Sequence, residues 1–308
     1  MGRGTERLRL GGFLRRGQPL RDARCMAQAD RVASVGPITR PLESEHSVTI
    51  VVPVRNEAPN LPRVLAKIPF DCEVIFVDGN STDDSVKVVR RLRPDITVIG
   101  QTRAGKGNAL ACGFAAAAGD FIVMMDADGS NDPAEIPRFL AALEEGADFA
   151  KGSRFLTGGG SQDISVVRRI GNFWLNRIVN VLYETRYTDL CYGYNAFRRE
   201  CLAVMRLNAA NIEACEPGAM LWGDGFEIET LINVRIAKAG LRVREVPSFE
   251  TMRHFGASNL NAFSDGLRVL RTIHAEHTRS GRHRVIDFPG AEREGALVSD
   301  RRRDGLVQ

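Results

Sequence analysis

The sequence predicts an α/β fold with a mostly parallel central sheet and helices on both faces. Three observations predict it. From about residue 47, short apolar runs alternate with helical stretches, the order that builds parallel sheets. The runs are nearly continuous in apolar residues, as strands buried on both faces require. Three of them run into acidic turns, at Pro53-Val54-Arg55-Asn56-Glu57, Asp78-Gly79-Asn80-Ser81-Thr82-Asp83 and Asp126-Ala127-Asp128. In open α/β sheets the strands' carboxyl ends form the ligand-binding edge.

The elements follow in order. Val48 to Val54 is the first predicted strand, Pro59 to Lys67 a helix, Glu73 to Val77 a second strand and Thr82 to Leu92 a helix. Ile96 to Ile99 is a third strand, and the alanine-rich stretch from Gly105 to Ala118 is helical. Phe121 to Met125 is a strand because five apolar residues stand between Gly119-Asp120 and the turn residues Gly129-Ser130-Asn131-Asp132-Pro133. Pro133 to Glu145 reads as a helix, Asp148 to Lys151 as a short strand, and Gly158-Gly159-Gly160-Ser161 as a mobile loop. Ile164 to Leu182 carries Ile170, Phe173, Trp174, Ile178, Val181 and Leu182 at helical spacing, which predicts a long amphipathic helix. A further helix runs from Phe226 to Ala239 and stops at Gly240 as a C′ residue. Leu241 to Val246 is a strand stopped by Pro247, and Asn261 to His277 a last amphipathic helix. Trp174, Trp222 and Met124-Met125 are assigned to the core, where apolar and aromatic residues usually go.

Composition limits the function classes. The chain has 308 residues, 44% hydrophobic and 26% charged, which suits a globular protein with a substantial core. A net charge of +4 does not mark a nucleic-acid binder, and no run approaches the length of a membrane span. The six cysteines form no Cys-X-X-Cys pair and have no histidine at metal-binding spacing, so they read as reduced thiols of a cytoplasmic protein. Three regions are expected: a basic, disordered arm over 1–46, one catalytic domain over 47–277, and a charged, disordered tail over 278–308. Three readings are open for the arm: contact with anionic lipid at the cytoplasmic membrane face, a solvated tail, or an over-long start. Its apolar residues are too few and too interrupted for a secretory signal.

Asp126 and Asp128 carry the strongest chemical signal. Residues two apart on extended backbone point the same way, so both carboxylates are expected to project from the strand's end. Two hard oxygen donors suit Mg²⁺ or Mn²⁺, with the remaining positions left to diphosphate oxygens and water. An isolated Asp-X-Asp is more often an acidic turn, so the other two strand ends supply the weight. Asp78 is placed to accept from a ribose or base, while Ser81, Thr82 or Asp83 can cap the next helix. Gly105-Lys106-Gly107 lacks Walker A spacing but opens a helix, where an anion is favoured.

Together these segments carry a resemblance. Pro53-Val54-Arg55-Asn56-Glu57, Val77-Asp78-Gly79-Asn80-Ser81-Thr82-Asp83, Gly105-Lys106-Gly107, Asp126-Ala127-Asp128 and Gly152-Ser153-Arg154-Phe155 resemble, in that order, the family 2 glycosyltransferases. With Thr188-Asp189-Leu190-Cys191-Tyr192-Gly193-Tyr194-Asn195-Ala196-Phe197-Arg198-Arg199, the chain is most similar to the dolichyl-phosphate mannosyltransferase-like group over roughly residues 47 to 275. The resemblance implies a GT-A fold, a UDP- or GDP-sugar donor and inverting transfer, with polyprenyl phosphate as acceptor. It also implies site residues. Pro53, Arg55, Glu57, Asp78, Lys106, Asp126 and Ala127 would line the donor nucleotide pocket, and Asp126 and Asp128 would hold Mg²⁺ or Mn²⁺. Arg154, with Arg168 or Arg169 as second cation, would meet the acceptor phosphate, and Asp189 would lie near the acceptor. Two departures stand out. Asp78-Gly79-Asn80-Ser81 replaces the family's usual Asp-Asp-Gly-Ser, and the transmembrane helices of many lipid-phosphate members are not seen.

The chemistry leaves the acceptor open. A phosphate acceptor is already an anion and needs cationic positioning, whereas a hydroxyl acceptor on a glycan or small molecule needs a base. Asp224, Glu227 and Glu229 are the candidates for that base, with Asp224 and Glu227 close enough in sequence to converge; equally, each can serve to complement the helix dipole. His254, in a segment similar to the family's acceptor loop, is open to a structural reading as well. A non-catalytic nucleotide-sugar-binding protein is a third reading, disfavoured by the retained pair Asp126 and Asp128. A nucleotidyltransferase fits poorly, because no Gly-rich loop follows the first strand.

Overall fold

The computed structural model describes residues 44–208, 219–256 and 262–279. The arm before residue 44 and the tail after 279 lie outside the described residues. Seven strands form the main sheet: β1 (Val48–Val54), β2 (Glu73–Asp78), β3 (Thr97–Gly100), β4 (Phe121–Met124), β5 (Phe149–Ser153), β7 (Asn195–Arg198) and β8 (Val243–Pro247). Their order is β3-β2-β1-β4-β7-β5-β8. Six run parallel, and β7 lies antiparallel between β4 and β5.

The continuous hydrophobicity of the strands has the expected cause. Ile50, Val52 and Val54 of β1 face one core with Phe76, Phe121 and Val123, while Val51 faces the other with Ile75, Val77, Ile122 and Met124. Helices α1 (Leu61–Leu65) and α4 (Ile136–Glu144) contribute Leu61, Val64, Phe139 and Leu143 to the first core. Helix α2 (Ser85–Leu92) adds Val89. The second core takes Leu110 and Phe114 from α3 (Lys106–Ala116), Val204 and Met205 from α6 (Leu202–Met205), and Ile228, Leu231 and Ile232 from α7 (Ile228–Lys238). Full burial of such a side chain contributes about 1.5–3 kcal/mol relative to exposure. Met124 and Met125 are core residues as expected.

Most elements lie within a few residues of their predicted bounds, and the differences have local causes. The helix expected from Thr82 begins at Ser85, because Asp83 accepts from the Ser85 amide and hydroxyl and holds the preceding residues in a turn. Pro133–Glu135 is a 3-10 turn ahead of α4. Gly240 follows α7 with φ of 67°, the left-handed C′ residue expected of it.

Three differences from expectation stand out. The Gly158–Ser161 stretch is not simply a loop: Gly160–Ser161 forms strand β6 and pairs in parallel with β9 (Phe249–Glu250). Strand β7 carries no signal read from the sequence, since Asn195-Ala196-Phe197-Arg198 is too short for a periodicity, yet it converts a parallel sheet into a mixed one. The third concerns α5 (Val166–Tyr183). Its buried side chains are Asn172, Leu175, Asn176 and Val179, whereas Ile170, Phe173, Trp174, Ile178, Val181 and Leu182 are exposed. Asn172 accepts from the Cys191 amide and Asn176 donates to the Thr188 carbonyl, so the polar stripe faces the protein. Trp174, at 61% exposure, is therefore not core. The last helix, α8 (Ala262–Thr278), packs Val269 and Ile273 against α5 and α7.

Four cysteines fall among the described residues, Cys72, Cys112, Cys191 and Cys201, and all are free thiols. Burial pushes Cys72 and Cys191 up to about 12, so both remain protonated near neutral pH.

Candidate active site

The turns after β1 and β2 are laced together. Asn56, with φ of 59°, accepts at Oδ1 from the Thr82 amide at 2.7 Å and donates from its own backbone amide to the Ser81 hydroxyl oxygen at 3.0 Å. The Ala58 amide donates to Asp83, and the Glu57 amide donates to the Ser85 hydroxyl. Asp78 accepts from the Ser81 amide and is half-buried at the strand end, in register with Val54. These bonds fix Pro53, Arg55, Glu57 and Asp78 on one edge, with Arg55 exposed and Pro53 half-buried.

Beside them, the end of β4 divides its two carboxylates between two cations. Lys106, at the first turn of α3, places Nζ 2.7 Å from Asp126 Oδ1 and 2.8 Å from Glu229 Oε1 on α7. A Cβ at Gly193 would lie 3.0 Å from both Lys106 Nζ and Glu229 Oε1, so that glycine leaves room for the pair. Burial opposes the ammonium charge, but Asp126 and Glu229 outweigh it and hold the lysine pKa above its ordinary value. Asp128 instead accepts from the Ser130 amide at 2.9 Å and lies 3.0 Å from Arg253 Nη2. Ala127 between them is buried, and the Asp126 amide donates to Asn131 Oδ1. His254 lies over Gly129, whose added Cβ would meet the imidazole Cδ2 at 3.2 Å. Glu57 faces the same space. Burial raises its pKa, the Asn60 hydrogen bond opposes this, and nearby Asp128 and Asp126 raise it further against the pull of Arg253.

The Gly105-Lys106-Gly107 turn owes its glycines to a neighbour. Gly105 has φ of 107°, and a Cβ at Gly105 or Gly107 would collide with the Asp224 or Gly223 carbonyl oxygen. Asp224, 1% exposed, is held by Arg103 through Nε at 2.8 Å and Nη2 at 3.0 Å. Its Oδ2 also accepts from the Leu221 amide. Glu227 accepts from the Gly223 and Gly225 amides with Oε1, while its buried Oε2 has no hydrogen-bond partner among the described residues. Asp224 is thus held in an ion pair, while Glu227 is turned to the amino terminus of α7.

The residues expected on the acceptor side fall into two groups. Arg154 and Asp189 are brought together, but they consume each other: Nε lies 2.7 Å and Nη2 2.9 Å from the Asp189 carboxylate. Nη1 reaches Glu250 at 3.0 Å, and the guanidinium lies over the Tyr192 ring. With Arg154 only 5% exposed and Asp189 fully buried, the pair ties β5 to β9. Arg168 is different. It sits in the first turn of α5, capped by Ser165, and meets Asp163 at 3.4 Å with both side chains about a quarter exposed. Arg169 beside it is exposed.

Sequence reasoning missed Arg253 as a partner of Asp128, Arg103 as the anchor of Asp224, and Asn131. No motif marks them, because each acts through contacts between distant segments. The pairing of Glu229 with Lys106 is equally invisible along the chain.

The glycosyl transferase family 2 profile matches residues 49–210. The polyprenol monophosphomannose synthase of Mycolicibacterium smegmatis is 31% identical over 223 residues, covering 69% of this chain and 80% of that protein. The undecaprenyl-phosphate mannosyltransferase of Micrococcus luteus is 29% identical over 233 residues, covering 72% and 91%. Among solved structures, glucosyl-3-phosphoglycerate synthase from Mycobacterium tuberculosis, in complex with Mn²⁺, UDP and phosphoglyceric acid, aligns with a TM-score of 0.57. That alignment has 19% identity over 76% of this chain and 79% of that one.

Proposed function

Since the chain belongs to glycosyl transferase family 2, in its dolichyl-phosphate mannosyltransferase-like group, and folds as a GT-A domain, we propose that this glycosyltransferase moves a sugar from UDP or GDP to polyprenyl phosphate with inversion. The observation that carries the reading is the pair Asp126 and Asp128 at the end of β4, each beside a side-chain cation and next to Glu57. A locus that already attracts two cations suits a divalent ion. Two hard carboxylates fit Mg²⁺ or Mn²⁺, which commonly leave their other positions to diphosphate oxygens and water. When bound, the ion would supply Lewis-acid stabilisation of the departing diphosphate.

The chain's own residues do the rest. Pro53, Arg55, Glu57 and Asp78 line the edge where a nucleoside would bind. Lys106 adds fixed positive charge beside Asp126, where leaving-group charge develops. Arg168 and Arg169 are the accessible cations for an acceptor phosphate, and Arg154 supports them indirectly through β9. A phosphate acceptor requires no base, consistent with an Asp224 already committed to Arg103. The relatives named for polyprenol phosphate and undecaprenyl phosphate support this acceptor class. We propose the same three regions read from the sequence, with the catalytic domain over 47–277 and a place at the cytoplasmic membrane face.

The second reading keeps the donor and takes a hydroxyl acceptor. The buried Oε2 of Glu227, with no hydrogen-bond partner among the described residues, favours it as an oxygen that a hydroxyl could meet. The test is transfer of radiolabelled sugar from UDP- and GDP-sugars into chloroform-soluble polyprenyl phosphate, with Mn²⁺ and with chelator. Metal-dependent product, lost in Asp128→Asn and reduced in Arg168→Ala/Arg169→Ala, is expected. Transfer only to hydroxyl acceptors, abolished by Glu227→Gln, would replace the first reading with the second. Binding of a nucleotide without turnover on any acceptor would sink both.

A further inference from the structure

We propose that Tyr192 is a positioning residue for sugar transfer: its hydroxyl fixes the turn that bears Asp126 and Asp128 against the segment that carries Arg253. This role presupposes the proposed glycosyltransferase site at the end of β4, on which Tyr192 acts through its neighbours. Tyr192 is buried, and its ring is seated over Gly152, where a Cβ would meet two ring carbons at 3.0 Å. The Arg154 guanidinium covers the ring at 4.7 Å from its centroid. A phenylalanine would fill the same volume, so the hydroxyl is the feature that needs a physical reason.

The available protons give that hydroxyl a direction. Asn131 Oδ1 accepts from the Asp126 amide at 2.8 Å, and Asn131 Nδ2 donates to the Tyr192 hydroxyl oxygen at 3.1 Å. Ser248 Oγ lies 3.0 Å from the same oxygen and gives its one proton to Glu135 Oε2. Glu135, in an ion pair with Arg138, is a carboxylate that only accepts. Ser248 has no proton left for Tyr192, so the phenol donates to Ser248 Oγ. Burial pushes the phenol pKa up, which keeps that proton in place. The hydrogen bonds therefore run one way, from the Asp126 amide through Asn131, Tyr192 and Ser248 to Glu135, whose Oε1 accepts from the Phe249 amide at 3.1 Å. Asn131, Ser248 and Glu135 are buried as well, so a broken link leaves polar atoms unpaired.

Both ends of the series belong to the site. Asp126 and Asn131 close the turn in which Asp128 accepts from the Ser130 amide. Ser248 precedes β9, and the residues after β9 return to the same turn. Thr251 donates from its amide to the Ser130 carbonyl at 3.0 Å and from its hydroxyl to the Gly129 carbonyl at 2.9 Å. Two residues further, Arg253 reaches Asp128, and His254 lies over Gly129. Thr251 clips the segment to the middle of the turn, and Tyr192 joins it to the turn's two ends through Asn131. Held at two places, turn and segment cannot pivot about one. A misplacement of about 1 Å in a reacting geometry costs roughly 10²-fold in rate, so this hydroxyl bears on kcat. Nucleotide binding at Glu57 and Asp78 does not depend on it.

The experiment uses the full chain, with Tyr187→Phe as the control for stability. The Tyr187 hydroxyl is also buried and donates to the Asn233 carbonyl at 3.0 Å, in the core that α5, α7 and α8 share. Transfer from UDP- and GDP-sugars to polyprenyl phosphate is measured with Mn²⁺ well below Tm, beside amide hydrogen exchange of the same proteins. In Tyr192→Phe, kcat is expected to fall about 10–100-fold while the donor KM changes by less than about threefold. Residues 126–131 and 248–254 are expected to exchange faster. Tyr187→Phe is expected to lower Tm to a similar extent and to keep the wild-type kcat. Ser248→Ala is expected to match Tyr192→Phe, and the double variant to lose no more than either, because one broken link interrupts the series. Losses that multiply in the double variant would overturn the proposal, as would a Tyr192→Phe enzyme with lowered Tm but wild-type kcat. If the wild-type chain transfers no sugar, the functional reading fails and exchange alone decides the link: unchanged rates at 126–131 and 248–254 in Tyr192→Phe would overturn it.

Discussion

Arg253 Nη2 stands 3.0 Å from Asp128 Oδ2, joining the segment after β9 to the end of β4. A guanidinium therefore shares the carboxylate that the sequence marks for a divalent ion.

Arg253 and a metal ion compete for that oxygen in the absence of donor. In Arg253→Gln, Mn²⁺ binding without nucleotide should tighten by about tenfold, since a hydrogen bond to a charged group contributes about 1.5–3 kcal/mol and each 1.4 kcal/mol is tenfold. Isothermal titration checks this, and unchanged affinity would place the metal away from Asp128.

Lys106 holds two carboxylates together. Lys106→Met leaves Glu229 buried beside Asp126 without a cation, and should lower unfolding stability by about 3–5 kcal/mol in a urea titration. Lys106→Met/Glu229→Gln should recover much of the loss, because the uncompensated charge is removed with its partner. Equal destabilisation in both variants would disprove the charge account.

Glu57 gives stability a pH dependence. Its folded pKa is raised, chiefly by burial, so its contribution is fully present below the ordinary carboxylate value and is lost as pH rises through the folded value. Glu57→Gln should therefore raise Tm at neutral pH and change it little near about pH 4. A Tm difference that is constant across this range would contradict the assignment.

Asp224 is an anchor. Asp224→Ala removes the buried carboxylate that accepts two hydrogen bonds from Arg103, and a loss of about 1.5–3 kcal/mol is expected alongside any loss of activity. A variant with wild-type stability and lowered kcat would identify Asp224 as a base instead.

Arg168 behaves oppositely. Its 3.4 Å pair with Asp163 is partly exposed, so Arg168→Ala should change stability by no more than about 1 kcal/mol while raising KM for the lipid-phosphate acceptor. Unaltered acceptor KM would remove it from the acceptor site.

The sequence by itself determined the mostly parallel frame and its acidic edge. Strands β1, β2 and β4 were legible because both faces are buried, which forces the continuous apolar runs of Val48 to Val54 and Phe121 to Met125. Asp78, Asp126 and Asp128 were legible because they end those runs. Tertiary structure alone decided which charges remain accessible. Arg154 carries the same side chain as Arg168, and Asp224 a carboxylate as Glu57 does, yet Asp189, Glu250 and Arg103 neutralise Arg154 and Asp224 from segments distant in the chain. It also decided the orientation of α5. Helical spacing reveals that an apolar stripe exists, but Asn172 and Asn176 turn that stripe outward by bonding to backbone at Cys191 and Thr188. Periodicity is a property of one segment, whereas desolvation and pairing depend on what packs against it.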